Sequence, residues 1–127
     1  MSQYQKFLNK WNNCQKCLLA KQRTNLVVAR GKLPCDVLFI GEAPGASEDV
    51  LGKPFIGPAG KLLDSIITDA LKQVPTVKLA WTNLVCCIPK DAAGEKGEPP
   101  KEAVVACSHR LIEFVWLAQP KLVIAVG

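Results

Sequence analysis

Two sets of residues in this chain have types and spacings that suit chemistry. The first lies on a loop. Val37-Leu38-Phe39-Ile40-Gly41 reads as a short buried strand that breaks into Glu42-Ala43-Pro44-Gly45, and a glycine- and proline-rich stretch then runs to Gly60 before a helical pattern begins. The loop carries Glu42, Glu48, Asp49 and Phe55. Ligands of open α/β sheets bind just outside the carboxyl ends of the strands, so these side chains fall where a substrate is expected. A carboxylate there can orient water or favour a developing cation, and a phenyl face can stack on a flat ligand. Each has a plainer reading too, Glu42 as a capping or loop carboxylate and Phe55 as core. Asn83 closes an otherwise apolar strand, an unusual place for an amide and a candidate site residue.

The second set is made of thiols. Cys14-Gln15-Lys16-Cys17 is a C-x-x-C pair, and Cys87 and Cys107 stand alone further along. Four thiolates that converge suit zinc or an iron–sulfur cluster. Structural zinc usually comes as two tight pairs, whereas here there is one, and Cys87-Ile88-Pro89 has a proline beside its cysteine as cluster ligands often do. Buried inert cysteine is the alternative; it suits Cys35 and Cys86 better than the C-x-x-C pair. His109, the single histidine, sits mid-helix near Cys107 and matches no catalytic pattern.

The elements that must position these residues can be read from periodicity. Ser2-x-x-Gln5 resembles a capping box, with Phe7, Leu8 and Trp11 at helical spacing after it and an end near Asn12-Asn13. Residues 26–29 suit a short strand or extended segment, and residues 36–41 a strand. The stripe Leu62, Leu63, Ile66, Ile67, Ala70 and Leu71 predicts an amphipathic helix over 58–73. Residues 77–85 predict a second core strand and 88–100 a surface loop. Residues 101–118 predict a helix, and 121–126 a third, buried core strand. This alternation predicts a three-layer α/β/α domain with a central parallel sheet, ending after its third core strand.

At 127 residues and 49% hydrophobic content the chain suits one folded domain spanning 1–127. No apolar run is long enough to cross a membrane, and the N-terminus lacks a signal-peptide pattern, so a reducing cytoplasmic location is the default expectation. There is no Walker-type loop and no G-x-G-x-x-G, so nucleotide binding is poorly supported. Residues 1–35 hold seven cations (Lys6, Lys10, Lys16, Lys21, Arg23, Arg30 and Lys32) and no acid, while 36–127 hold nine cations and eleven acids, a net of −2. The basic segment suits either a polyanion such as nucleic acid or a solvated helix face.

Together these segments resemble the family-4 uracil-DNA glycosylases of bacteria and archaea, which carry a 4Fe–4S cluster. The resemblance runs from the cysteine pair and Arg23-Thr24 through Gly41-Glu42-Ala43-Pro44-Gly45 and Gly52-Lys53-Pro54-Phe55-Ile56-Gly57-Pro58-Ala59-Gly60. It continues through Thr82-Asn83-Leu84-Val85-Cys86-Cys87-Ile88-Pro89 and Pro100 to Cys107, and ends at Pro120 to Gly127. It implies a hydrolase that removes uracil flipped out of single- or double-stranded DNA, and a monomer when full length. It implies that Cys14, Cys17, Cys87 and Cys107 hold the cluster, with zinc the lesser alternative and Cys86 a rival ligand where the family carries a basic residue. It places Phe55 against the base and Asn83 on uracil N3–H and O4, with Gly41 and Ala43 also lining the substrate site. Glu42 is expected to orient the attacking water, with Glu48 near the base. The Cys87–Cys107 interval is longer than the family's, and the extra residues fall in 91–97. The family's His-Pro-Ser-like motif, which follows one further strand, is not among these residues. The domain is therefore expected to be incomplete, and residues 1–127 alone to turn over little uracil. A non-catalytic iron–sulfur nucleic-acid-binding module and a zinc-stabilised α/β binding domain are the competing classes.

Overall fold

The computed structural model describes residues 1–127. Helix α1 (Gln3–Trp11) starts where the Ser2 hydroxyl accepts from the Gln5 amide at 3.0 Å, and it buries Phe7 and Trp11. Four strands follow in the chain: β1 (Ala29–Gly31), β2 (Val37–Gly41), β3 (Leu79–Asn83) and β4 (Leu122–Ala125). They form one sheet in the order β1-β3-β2-β4. The three core strands are parallel, as the alternation predicts, and Gly41 lies in register with Asn83. The short strand β1 instead runs antiparallel to β3, so the sheet is mixed. Residues 32–36, between β1 and β2, are too few for a crossover and can only reverse the chain.

Pleating sends alternate side chains to opposite faces. Leu38 and Ala80 enter a core with Phe7 and Trp11 of α1 and Phe114 and Ala118 of helix α4 (Lys101–Ala118). On the other face Phe39 and Trp81 stack, with centroids 5.7 Å apart. Arg30 lies over the Trp81 ring at 3.8 Å and pairs with Asp64 of helix α3 (Pro58–Ala70), which ties that helix to this face.

Three expectations need correction. The stretch between β2 and α3 is not all loop, because Ala46–Leu51 forms a short helix, α2. Its first turn is closed by Glu48, whose carboxylate accepts from the Gly45 amide at 2.9 Å. The α3 stripe stops at Ala70 and passes into a 3₁₀ turn, Leu71–Gln73, and Leu62 and Ile66 on it are exposed. Strand β4 is exposed along its whole length rather than buried. It pairs with β2 on one side only, and Leu122, Val123 and Ile124 are exposed.

The loop between α2 and α3 is pressed against the first turn of α3. A Cβ added at Gly60 would overlap the Phe55 carbonyl group, so only glycine permits this approach. Gly60→Ala is expected to lower the unfolding free energy by about 1–3 kcal/mol, as overpacking does. Urea denaturation measures this; an unchanged midpoint would show that the loop yields without cost.

Candidate functional site

The end of β2, the α2–α3 loop and the end of β3 enclose a cleft of about 200 Å³. It is lined by Gly41, Glu42, Ala43, Glu48, Phe55 and Asn83, so of the non-cysteine candidates on the loop and strand ends only Asp49 is missing. Asn83 and the Phe55 ring both close on the bare Cα of Gly41, where a Cβ would overlap the Asn83 Oδ1 and the ring edge. Asn83 is 3% exposed. Its backbone carbonyl accepts from Arg110 at 2.7 Å, but its side-chain amide bonds to no protein group. An amide that lines the cleft with its donor and acceptor capacity free can recognise a ligand there.

The carboxylates differ in environment. Glu42 is exposed, and its side chain is free of protein hydrogen bonds. Glu48 is half-buried and committed to the backbone. It accepts from Gly45, and then from the Ile56 and Gly57 amides at 3.1 and 2.6 Å. Its oxygens hold the loop in shape even though the residue borders the cleft. Asp49 turns away altogether and caps the Thr24 and Asn25 amides at 2.8 and 3.1 Å. Phe55 adopts φ +58°, a conformation bulky residues avoid and one that costs on the order of 1–3 kcal/mol.

Periodicity gave no sign of Lys96. It sits in the 88–100 loop, which folds back through a Lys90–Lys96 bridge, and its ammonium donates to the Ala43 carbonyl at 3.1 Å. It is the one cation lining the cleft. Arg110 had a readable signal. Ala103, Cys107, Phe114 and Ala118 mark the inward stripe of α4, and Arg110 falls on that stripe.

A second cavity, which shares no lining residue with the cleft, is bordered by Cys14, Cys17, Cys86, Cys87 and Cys107. Cys35 is buried in the main core, and His109 is exposed. Arg23 donates to the Cys87 sulfur at 3.3 Å and to the Cys14 carbonyl at 2.6 Å. Arg110 donates to the Cys107 sulfur at 3.5 Å, and its Nε is buried without an acceptor. No three His, Cys, Asp or Glu side chains are placed to hold a single metal ion. Cys87 packs in a small apolar cluster with Cys17 and Cys107 against it, and Cys86 packs in the main core with Cys14 and Cys107 against it. A hydrogen bond from Cys86, helped by the Arg110 charge, holds the Cys107 thiol down to about 5. Burial pushes the Cys86 thiol well up, and it pushes Cys87 up against the pull of Arg23.

The basic N-terminal segment is not a uniform charged face. Arg23 serves the thiol cavity, Arg30 the Phe55 loop, and Lys10 pairs with Glu113. Lys16 lies over the Trp11 ring at 4.6 Å. Lys6, Lys21 and Lys32 remain exposed without an ion pair.

With this geometry in view, comparison with known proteins is direct. Residues 28–127 match the model of the uracil DNA glycosylase superfamily, and the chain belongs to that superfamily. It is 40% identical over 114 residues to the Type-4 uracil-DNA glycosylase of Saccharolobus solfataricus, covering 90% of this chain and 50% of the relative. It is 40% identical over 117 residues to the Type-4 enzyme of Pyrobaculum aerophilum, covering 91% and 56%. Against the Type-4 enzyme of Thermotoga maritima identity is 34% over 114 residues, covering 90% and 56%. The chain thus spans about half the length of the curated relatives it matches. No helix is long and apolar enough to cross a membrane.

The thiol environments give a direct test. In chelator-treated, reduced protein at about pH 6.5, iodoacetamide should modify Cys107 ahead of Cys87 and Cys86, because only Cys107 has its pKa lowered into this range. Lowering the pH through about 5 should protonate it and slow the reaction. Peptide mapping by mass spectrometry reads the order; Cys87 labelled as fast as Cys107 would contradict the assignment.

Proposed function

We propose that this chain carries the base-recognition and water-orienting part of a type-4 uracil-DNA glycosylase, which hydrolyses the N-glycosidic bond of uracil flipped out of DNA. The observation that carries this reading is the Asn83 amide, free of protein partners and lining the cleft beside the Phe55 ring. A flipped base is read on its Watson–Crick edge and held by stacking. An amide can accept from uracil N3–H and donate to O4, and cytosine offers the opposite pattern at those atoms. The family membership and the Type-4 names of the relatives point the same way.

Each demand of the hydrolysis has a residue available. The sugar becomes cationic as the bond breaks, and Glu42, free and exposed at the cleft, can orient water and favour that charge. Glu48 acts through the loop instead, by fixing the Ile56 and Gly57 amides. Lys96 adds a positive charge to a cleft otherwise bordered by carboxylates, which favours the departing base as an anion. Exposed Lys6, Lys21 and Lys32 are the members of the basic segment left to meet phosphates.

In the same reading Cys14, Cys17, Cys87 and Cys107 hold a 4Fe–4S cluster. Their fit rests on the donor set, five sulfurs around one cavity with two arginines donating to the sulfurs of Cys87 and Cys107. A thiolate-bound cluster is anionic, so these cations and the unpartnered Arg110 Nε suit it. Zinc is less well suited. A tetrahedral ion draws its sulfurs close around one point, and the side chains here are not so placed. When bound, the cluster supplies folding energy by linking the N-terminal segment to β3 and α4.

Two measurements test this reading. Uracil-containing single-stranded DNA should be bound in preference to thymine-containing DNA, and any excision should appear as strand cleavage after alkali. Asn83→Asp should weaken uracil recognition by about tenfold or more, because a carboxylate cannot donate to O4. Equal binding of both oligonucleotides by the native protein would remove the uracil reading. For the cofactor, protein purified without oxygen should be brown and should bleach on reduction. Cys87→Ser should abolish the colour and Cys86→Ser should keep it. A colourless protein with stoichiometric zinc would overturn the cluster.

A further inference from the structure

We propose that Arg30 is a positioning residue for base selectivity, holding the Phe55 ring in fixed relation to the Asn83 amide. The proposal rests on the uracil reading of the cleft.

Arg30 lies in the acid-free N-terminal segment, where charge alone suggests a phosphate contact. Its donors point elsewhere. Nε donates to the Pro54 carbonyl at 2.7 Å and Nη2 to the Phe55 carbonyl at 3.0 Å. Nη2 also meets Asp64 of α3 at 3.2 Å. The flat face of the guanidinium stacks on Trp81. Trp81 stands two residues before Asn83 on the same strand, so one side chain bridges the strand that carries the amide and the loop that carries the ring.

That bridge has work to do because Phe55 sits at φ +58°, a conformation that persists only where its surroundings over-determine it. Glu48 grips the loop by the amides of Ile56 and Gly57, just after the phenyl ring. Arg30 grips it by the carbonyls of Pro54 and Phe55 themselves. Only the second grip is anchored to β3. A loop released from it keeps its α2 end but loses its register with the amide. Stacking and edge recognition then no longer act on the same base plane. The expected consequence is loss of selectivity, more than loss of DNA binding, because the exposed lysines are untouched.

The test is a double-mutant cycle read as the ratio of affinities for oligonucleotides that carry one uracil or one thymine. Fluorescence anisotropy is measured for the native chain, Arg30→Met, Arg30→Lys, Phe55→Leu and the Arg30→Met/Phe55→Leu pair. Arg30→Met should cut the uracil preference about tenfold, the scale of a lost charged hydrogen bond, with thymine-DNA affinity unchanged. Arg30→Lys should restore part of it. The pair should lose no more preference than Phe55→Leu alone, because both changes remove the same device. An intact preference in Arg30→Met, or losses that multiply in the pair, overturns the proposal while the uracil reading stands. A native chain without uracil preference overturns the uracil reading, and this proposal falls with it. If Arg30→Met does not fold, Asp64→Asn loosens the same guanidinium at a half-exposed carboxylate. It should lower the preference about threefold, the scale of a weaker ion-pair partner, and no change there overturns the proposal.

Discussion

Arg110 carries a positive charge from the buried face of α4 into the protein interior, at 2% exposure. A buried cation is costly unless its protons find acceptors. Here Nη1 donates to the Thr82 hydroxyl at 2.9 Å, and Nη2 donates to the Asn83 and Leu84 carbonyls at 2.7 and 3.0 Å. Nη2 also reaches the Cys107 sulfur. Those carbonyls lie at the last residue of β3 and just past it, where the ladder gives out and other donors must serve. The guanidinium and the strand end therefore pair with each other, and of its nitrogens only Nε is left without an acceptor. The amide that faces the cleft and the thiol that faces the second cavity are held by a single group. Thr82 extends the chain of contacts, since its hydroxyl donates to the Val28 carbonyl at 2.7 Å. Loss of Arg110 would leave several buried acceptors unpaired at once.

Around this fixed strand end the cleft is assembled from backbone approaches that leave no room for side chains. Gly41 lets the Asn83 amide and the Phe55 ring come together above β2, and Gly60 lets the loop backbone lie on α3. The two glutamates of the loop separate into different tasks by environment alone. Glu48 accepts from three backbone amides and so is part of the frame. Glu42 keeps its carboxylate free at the cleft, where a polar reactant can meet it. Identity at the level of residue type does not distinguish them; hydrogen bonding does.

The charge pattern is redistributed by folding in the same way. An acid-free run of 35 residues has the look of one basic surface. In three dimensions its two arginines are turned inward, to a sulfur and to loop carbonyls, and the exposed remainder is lysine. This division follows from the side chains. The planar guanidinium satisfies several acceptors at once, while the ammonium on its flexible stem stays hydrated.

The sequence by itself determined the parts of this protein that depend on local pattern. The parallel core strands, helix α4 over residues 101–118, and the gathering of Gly41, Glu42, Phe55 and Asn83 at one sheet end follow from periodicity and from where strands stop. The C-x-x-C pair with two distant cysteines already suggested a common thiol site, and folding brings them around one cavity. Only the tertiary structure decided what each polar group faces. Short α2 escaped periodicity because it is a single capped turn and a half, closed by a side chain rather than by an apolar stripe. Strand β4 was apolar in pattern yet is exposed, because apolar character records a capacity for burial and the neighbours decide whether it is used. Lys96 reached the cleft, and Arg30 the back of the Phe55 loop, through contacts 53 and 25 residues away in the chain. No local pattern encodes such contacts, because their free energy exists only once distant segments have met.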